Sequence, residues 1–194
     1  MLMQSDTTDR TDMKAVEAML NGPAPKIRPG GEDAVLSQAK RLLDTGKSRE
    51  AADLLRSHGV RGIDAMNLLG IALMRSGDPG RAVEIYRNIV IQRGKTLTRK
   101  DAPLATMVNY GCALLMTGNT AGCVAVLKEL ASHEDPELQR LRDAVETWRR
   151  GLSWYGRLTF RMSHEVPGNP VPIDFVPGAF LNPGNSATTS AVPA

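Results

Sequence analysis

Large apolar residues recur every three or four positions through residues 32–162, and small residues interrupt them at fixed places. The clearest stretch runs from Met66 to Tyr86, MNLLGIALMRSGDPGRAVEIY, and it contains two such apolar stripes. A spacing of three and four is typical of an amphipathic helix. Gly77 lies between the stripes, where its tolerance of a left-handed backbone allows one helix to end before another begins. The pattern predicts two short helices joined by a tight turn.

The same template occurs three times in tandem. In each copy the turn glycine comes seven residues after a small residue, and a second small residue follows five residues later. The shared positions are Val35, Met66 and Met107; Ala39, Gly70 and Gly111; Leu42, Leu73 and Leu114; Gly46, Gly77 and Gly118; Ala51, Ala82 and Cys123; and Leu55, Tyr86 and Leu127. Small side chains let paired helices approach closely, whereas a large side chain would force them apart. The pattern therefore predicts a tandem array of helix pairs.

Polar residues after the turn glycines are placed to start the second helix of each pair. Ser48, Asp78 and Asn119 can each accept hydrogen bonds from the unpaired backbone N–H groups of a first helical turn. Pro79, which follows Asp78, suits the first position of a helix. We expect all three polar side chains to act as helix caps.

The central copy resembles the tetratricopeptide repeat (TPR). Its spacing M-x-x-L-G-x-x-L, followed by A-x-x-x-Y, is similar to the family signature W-x2-L-G-x2-Y with a later A-x3-F. The best match is Ile63 to Gly94; the third copy, Leu104 to Glu137, has Cys123 in place of Ala. The first copy, Glu32 to Gly62, is the weakest match. The resemblance implies an all-α fold, a short right-handed array of antiparallel helix pairs (a TPR-like α-solenoid).

The ends of the array need caps, since a stack of repeats exposes an apolar face at each end. Asp135 is placed to begin a capping helix, and residues 152–162 predict a short helix after it. We assign residues 1–31 to an N-terminal segment with a possible amphipathic helix and a Pro/Gly linker, and residues 32–162 to the helical domain. Residues 163–194 form an extended Pro/Gly-rich tail, whose end we expect to be disordered.

Composition narrows the classes of function. The 194-residue chain has a formal net charge of +3, less basic than is usual for a domain whose main ligand is nucleic acid. No apolar run is long enough to span a bilayer, and the N-terminus lacks the features of a secretory signal. Since Cys112 and Cys123 are the only cysteines, the chain suits a reducing compartment, and we expect a cytoplasmic protein.

No constellation of residues indicates catalysis or cofactor binding. His58, His133 and His164 have no metal-ligand spacing to one another or to a cysteine. The sequence also lacks a phosphate-binding loop and a nucleophile elbow. We expect a non-enzymatic protein without metal or cofactor; the rival from another class is an enzyme whose site is assembled from isolated polar residues.

The resemblance also implies a concave groove, lined by the first helix of each repeat, that receives a peptide. Co-chaperones of the family clamp a partner's terminal carboxylate there, but the corresponding positions of this chain offer only one cation. Those positions are Leu36, Lys40, Leu68, Ala105 and Asn109. The inward-facing candidates are mainly apolar: Leu36, Lys40, Leu43, Asn67, Ile71, Met74, Val108, Cys112, Leu115 and Met116. Such a groove favours an apolar peptide or amphipathic helix of a partner protein.

The tail carries apolar residues that a solvated linker would not need. Ile173, Phe175 and Phe180 are spaced like those of an extended docking peptide. Three alternatives stay open: the tail packs on its own domain, inserts into a partner, or inserts into another copy and so makes a homo-oligomer.

The leading hypothesis is an adaptor or chaperone-like module that binds a partner protein through the apolar groove. One alternative is an assembly subunit docked through the tail. Another is binding to RNA or a membrane surface through the Arg-rich cap, where Trp148, Trp154 and Tyr155 lie among arginines. We expect neither nucleic acid nor a membrane as the main partner, because Glu137 and Glu146 dilute the basic charge of that cap.

Overall fold

A computed structural model describes residues 31–59, 61–91, 102–164 and 171–178. The helix and linker predicted at the N-terminus, and the end of the tail with Phe180, lie outside the described residues.

The described residues form eight α-helices and no β-strand, which confirms the all-α class. The helices are α1 (Gly31–Asp44), α2 (Ser48–Ser57), α3 (Ile63–Arg75), α4 (Pro79–Val90), α5 (Leu104–Met116), α6 (Thr120–Glu129), α7 (Pro136–Gly151) and α8 (Trp154–Ser163). Six of them are the three predicted pairs, and α7 and α8 occupy the stretches predicted for the capping helix and the short helix after it.

Helices that are neighbours along the chain pack side by side from α1 through α6. Alternate helices also contact one another: α1 packs on α3, α3 on α5, and α5 on α7. These four helices therefore form one row, which we call the inner row. Helices α2 and α4 each pack between their two neighbours along the chain, and α6 packs on α5.

Helices α3 and α5 are buried nearly all round. Every residue from Ala65 to Met74, and every residue from Thr106 to Leu115, is buried. A helix that is apolar on all sides belongs in a core rather than at a surface. Helices α3 and α5 thus form the centre of the described helical domain and are covered on more than one face.

The turn glycines have the left-handed backbone that the sequence predicts. Gly46, Gly77 and Gly118 have φ angles of +77°, +90° and +79°. In the last two turns the backbone N–H of the residue after the glycine bonds back to the carbonyl of Leu73 or Leu114 at 2.9 Å. Each glycine therefore closes one helix and directs the chain into the next.

Three of the four predicted caps are confirmed. Asp78, Asn119 and Asp135 accept hydrogen bonds from the first turns of α4, α6 and α7. The prediction for Ser48 is wrong: it is the first residue of α2, and Lys47 before it makes no side-chain capping bond. The physical reason is the offset, because the capping residue of the other two pairs comes directly after the turn glycine, and that position holds lysine here.

Close contact at small residues holds each pair together. Ala39, Ala51, Ala82 and Cys123 are fully buried, and Gly70 and Gly111 are also inaccessible. At Gly70 an added Cβ would lie 2.4 Å from Cζ of Tyr86, so the tyrosine ring rests directly on the α3 backbone. Tyr86 is itself buried, and its hydroxyl donates to the Asn67 carbonyl at 3.1 Å. The tyrosine ring therefore cannot move aside to accommodate a larger residue at position 70.

We predict that Gly70→Ala destabilises the fold by about 1–3 kcal/mol, because the overpacking against Tyr86 outweighs the better helix propensity of alanine. Urea unfolding followed by circular dichroism measures the loss. Gly80→Ala is the matched control, since Gly80 is also helical but an added Cβ there meets nothing within 4 Å. Equal stability of the two variants would contradict the packing argument.

Candidate functional site

The ten side chains predicted to line the groove lie on α1, α3 and α5 of the inner row, and none of them is exposed. Seven are buried: Leu43, Asn67, Ile71, Met74, Val108, Cys112 and Leu115. The other three, Leu36, Lys40 and Met116, are partly buried. The predicted groove is therefore not an open apolar trough in this structure, and its floor is covered.

Part of that cover is the chain's own tail. Residues 171–178, which we call the strap, reach the C-terminal end of α3. At Gly178, whose φ is +116°, an added Cβ would lie 2.6 Å from Cγ2 of Ile71. Since Ile71 is fully buried and is one of the predicted groove residues, the C-terminal end of the strap lies on the predicted groove floor.

The strap buries alternate residues. Val171 is buried, Ile173 and Phe175 are half-buried against the core, and Pro172, Asp174 and Val176 between them are exposed. Side chains of an extended chain point alternately to opposite sides, so this pattern is that of an extended peptide on an apolar surface. In this structure the predicted docking residues Ile173 and Phe175 pack on their own domain; Phe180 lies outside the described residues.

Arg75, the last residue of α3, joins the strap to the array. Its Nε donates to the Pro177 carbonyl at 2.8 Å, and its terminal nitrogens donate to the carbonyls of Gly178 and Leu43, each at 3.4 Å. Leu43 lies at the C-terminal end of α1, where helix carbonyls lack partners within their own helix. One guanidinium therefore links the first helix, the third helix and the strap.

The charged guanidinium of Arg75 is partly buried. Burial lowers its pKa, and the nearby carboxylate of Asp44 opposes that shift. An arginine stays charged even so, and a charged donor makes stronger hydrogen bonds to carbonyls than a neutral one does. Sequence reasoning missed Arg75, since a basic residue in the last turn of a helix is ordinary and gives no sign of a peptide contact.

Asn67, another predicted groove residue, is part of a buried polar link. Asn109 Nδ2 donates to Asn67 Oδ1 at 2.8 Å, and both side chains are almost completely buried. The two residues lie one template position apart, because Asn67 directly follows Met66 whereas Asn109 comes two residues after the aligned Met107. The pair fixes the register of α3 against α5.

The two cysteines are buried free thiols. Burial raises the pKa of Cys112 to about 12, and burial also raises the pKa of Cys123, with the neighbouring Cys112 adding to the effect. The thiolate is the reactive form, so neither cysteine is suited to act as a nucleophile or a metal ligand at neutral pH. Within residues 31–59, 61–91, 102–164 and 171–178 there is no group of three or more His, Cys, Asp or Glu that could hold a metal ion.

A second surface lies at the far end of the array. A cavity of about 420 Å³ is lined by Arg149, Arg150, Arg157, Phe160, Arg161 and His164, from α7, α8 and the residue after α8. We call it the arginine cavity. It combines a largely apolar surface with guanidinium groups, which can bind phosphate and carboxylate oxygens through paired hydrogen bonds.

Comparison with models of known protein families, with curated proteins and with solved structures finds no match. Among the helices that the structure describes, none has the length and apolar character needed to cross a bilayer.

We predict that Cys112 and Cys123 of the native protein react with Ellman's reagent at pH 8 about three orders of magnitude more slowly than a free thiol, because their raised pKa values leave very little thiolate. Absorbance of the released thionitrobenzoate measures the rate. The same protein in concentrated urea is the control and should react at once. Rapid labelling of the folded protein would contradict the buried placement.

We also predict that Gly178→Ala loosens the strap, since alanine is strained at a φ of +116° and its Cβ would overlap Ile71. Cleavage of residues 171–178 in limited proteolysis should become roughly tenfold faster or more, which corresponds to about 1.4 kcal/mol or more of lost docking energy. Pro172→Ala, at an exposed position of the strap, is the control. Unchanged protection in Gly178→Ala would show that this contact does not hold the strap.

Proposed function

We propose that the protein is a TPR-like helical-repeat module that binds an extended apolar segment of a partner protein along its inner row. The three-copy template and the row of alternate helices support the repeat assignment. The observation that carries the proposal is the strap, because its end lies on Ile71 and is held through its backbone by Arg75, while its apolar side chains pack on the core.

The strap also indicates what a partner segment must offer. It needs large apolar side chains at alternate positions, as Val171, Ile173 and Phe175 provide. It needs backbone carbonyls within reach of Arg75, and a glycine where the chain passes over Ile71. Recognition of this kind uses main-chain hydrogen bonds for affinity and alternate side chains for specificity, as in peptide addition to a sheet edge.

In this proposal the strap is an internal competitor. A segment on the same chain is present at an effective concentration on the order of millimolar, so a partner segment of equal strength binds weakly while the strap is docked. The apparent dissociation constant rises in inverse proportion to the fraction of molecules with a free groove. A partner must displace the strap or act on molecules in which it has been released.

The chemistry of the inner row supports binding rather than catalysis. Its two asparagines bond to each other, and its cysteine is held as a thiol by burial. Catalytic groups need a pKa near the working pH and access to a substrate, and Cys112 has neither.

The test uses a fluorescent peptide with the sequence of residues 171–178 and the full chain carrying Ile173→Ser and Phe175→Ser. These changes weaken the strap and leave the inner row intact. We expect the peptide to bind this double variant at least tenfold more tightly than the wild type, since the internal competitor is weakened. Fluorescence anisotropy measures both affinities.

Two controls accompany the peptide. A peptide with serine at the positions of Ile173 and Phe175 should bind at least tenfold more weakly. Adding Arg75→Gln to the double variant should also reduce binding by about tenfold or more, because a charge-assisted hydrogen bond contributes about 1.5–3 kcal/mol. If the peptide and its serine version bound equally, or if neither bound the double variant, the proposal would be wrong. Dimers of the wild type that disappear in the double variant would favour exchange of the strap between copies instead.

A further inference from the structure

The last helix, α8, presents an apolar stripe to solvent. Trp154, Tyr155, Leu158 and Met162 are 78%, 65%, 48% and 81% exposed. At 100° per residue these four positions fall within an arc of about 100° on the helix surface. Large apolar side chains scattered singly are normal on a surface, but four on one face of a ten-residue helix form a continuous patch.

The opposite face of α8 fixes the direction of the stripe. Gly156 and Phe160 are the buried residues of the helix. The Phe160 ring meets the Trp148 ring of α7 edge to face, with ring centroids 5.4 Å apart. The stripe therefore points away from the array, and the helix cannot turn it inward without breaking this aromatic contact.

The net charge beside the stripe is basic. Residues 147–164 contain four arginines and no acidic residue. Arg149 and Arg150 share the carboxylate of Glu146 at 2.8 and 3.1 Å, whereas no salt bridge involves Arg157 or Arg161 in the part of the chain that the structure describes. Arg157 donates to the carbonyls of Leu152 and Arg150, which holds its guanidinium in place.

The arginine cavity adjoins one edge of the stripe, since its lining residues Arg161 and Arg157 lie about 20° and 60° around α8 from Trp154 at 100° per residue. We propose that α8 and the arginine cavity together bind the surface of an anionic phospholipid bilayer. The cavity accepts a headgroup phosphate, and the stripe lies at the boundary between headgroups and acyl chains. This inference does not rest on the proposed peptide groove.

The residue types favour a lipid surface over a nucleic acid. Tryptophan and tyrosine prefer the headgroup level of a bilayer, and interfacial helices combine such residues with leucine on one face and basic residues beside it. Single-stranded RNA would use the aromatic rings for stacking, but Leu158 and Met162 offer it no stacking surface. The basic flank matches the negative charge of the bilayer, which attracts arginines close to its surface.

The two tryptophans make the test direct, because Trp154 is exposed and Trp148 is buried. The full chain is titrated with vesicles of phosphatidylcholine alone or mixed with phosphatidylglycerol, while tryptophan emission is recorded. We expect a blue shift only with the mixed vesicles, and quenching when their acyl chains are brominated. Trp154→Phe should abolish both signals, since the buried Trp148 does not reach the lipid.

Variants measured by vesicle co-sedimentation separate the two parts of the surface. Arg161→Gln should weaken partitioning about fivefold, the effect of one basic residue near an anionic surface. Leu158→Ser combined with Met162→Ser should weaken it by about tenfold or more, because the apolar contact is lost. Arg87→Gln and Ile63→Ser, exposed positions on α4 and α3, are the matched controls and should leave partitioning unchanged.

Three results would overturn the proposal. The first is absence of partitioning onto anionic vesicles at low salt, with folding verified by circular dichroism. The second is equal partitioning of the wild type and the stripe variant. The third is quenching of Trp154 by a single-stranded RNA oligonucleotide without any response to vesicles, which would assign the surface to nucleic acid.

Discussion

The contact between the Tyr86 ring and the α3 backbone at Gly70 is the constraint on which the central helix pair depends. A glycine allows the ring to lie where any other residue would place a Cβ, and the ring in turn brings its hydroxyl to the Asn67 carbonyl. Asn67 then bonds through its side chain to Asn109 of the next pair. Close packing within one pair is thereby connected to the register between pairs.

Gly111 shows a milder form of the same contact. The atom nearest to an added Cβ there is Cδ2 of Leu141, at 2.8 Å, and it belongs to a flexible side chain of the next helix in the inner row. Here the small residue makes room for a neighbouring repeat rather than for its own partner helix. A small residue at this template position thus serves both kinds of packing, within a pair and between pairs.

The sequence predicts the helices and their turns well, because each depends on a local and repeated signal. Apolar spacing identifies the helices, and glycines at fixed offsets identify the turns. The Ser48 cap failed by one residue, since serine is a good cap in general but stands one position too late in this turn. The capping residues of the other two pairs were enough to show where a cap must stand.

The candidate site was harder to predict, because whether it is open or covered depends on contacts between residues that are far apart in the chain. Ile71 and Met74 are apolar and lie on the inner row as expected. The sequence pattern of such a position is the same whether a partner, a neighbouring helix or the chain's own tail covers the side chain. Arg75 bonds to a carbonyl 102 residues away, and no local pattern can indicate such a partner. Ile173 and Phe175 could be recognised as a docking segment, but not their destination.

That long-range bond changes how the array can unfold. An ordinary repeat array is linear, and its terminal units can open one at a time without disturbing the rest. Here the guanidinium of Arg75 joins the end of the first helix to a segment that follows the last one, so the chain is closed on itself. We expect opening of α1 and release of the strap to be coupled, because both break bonds of the same guanidinium. The two ends of the described helical domain are thereby tied to each other through one side chain.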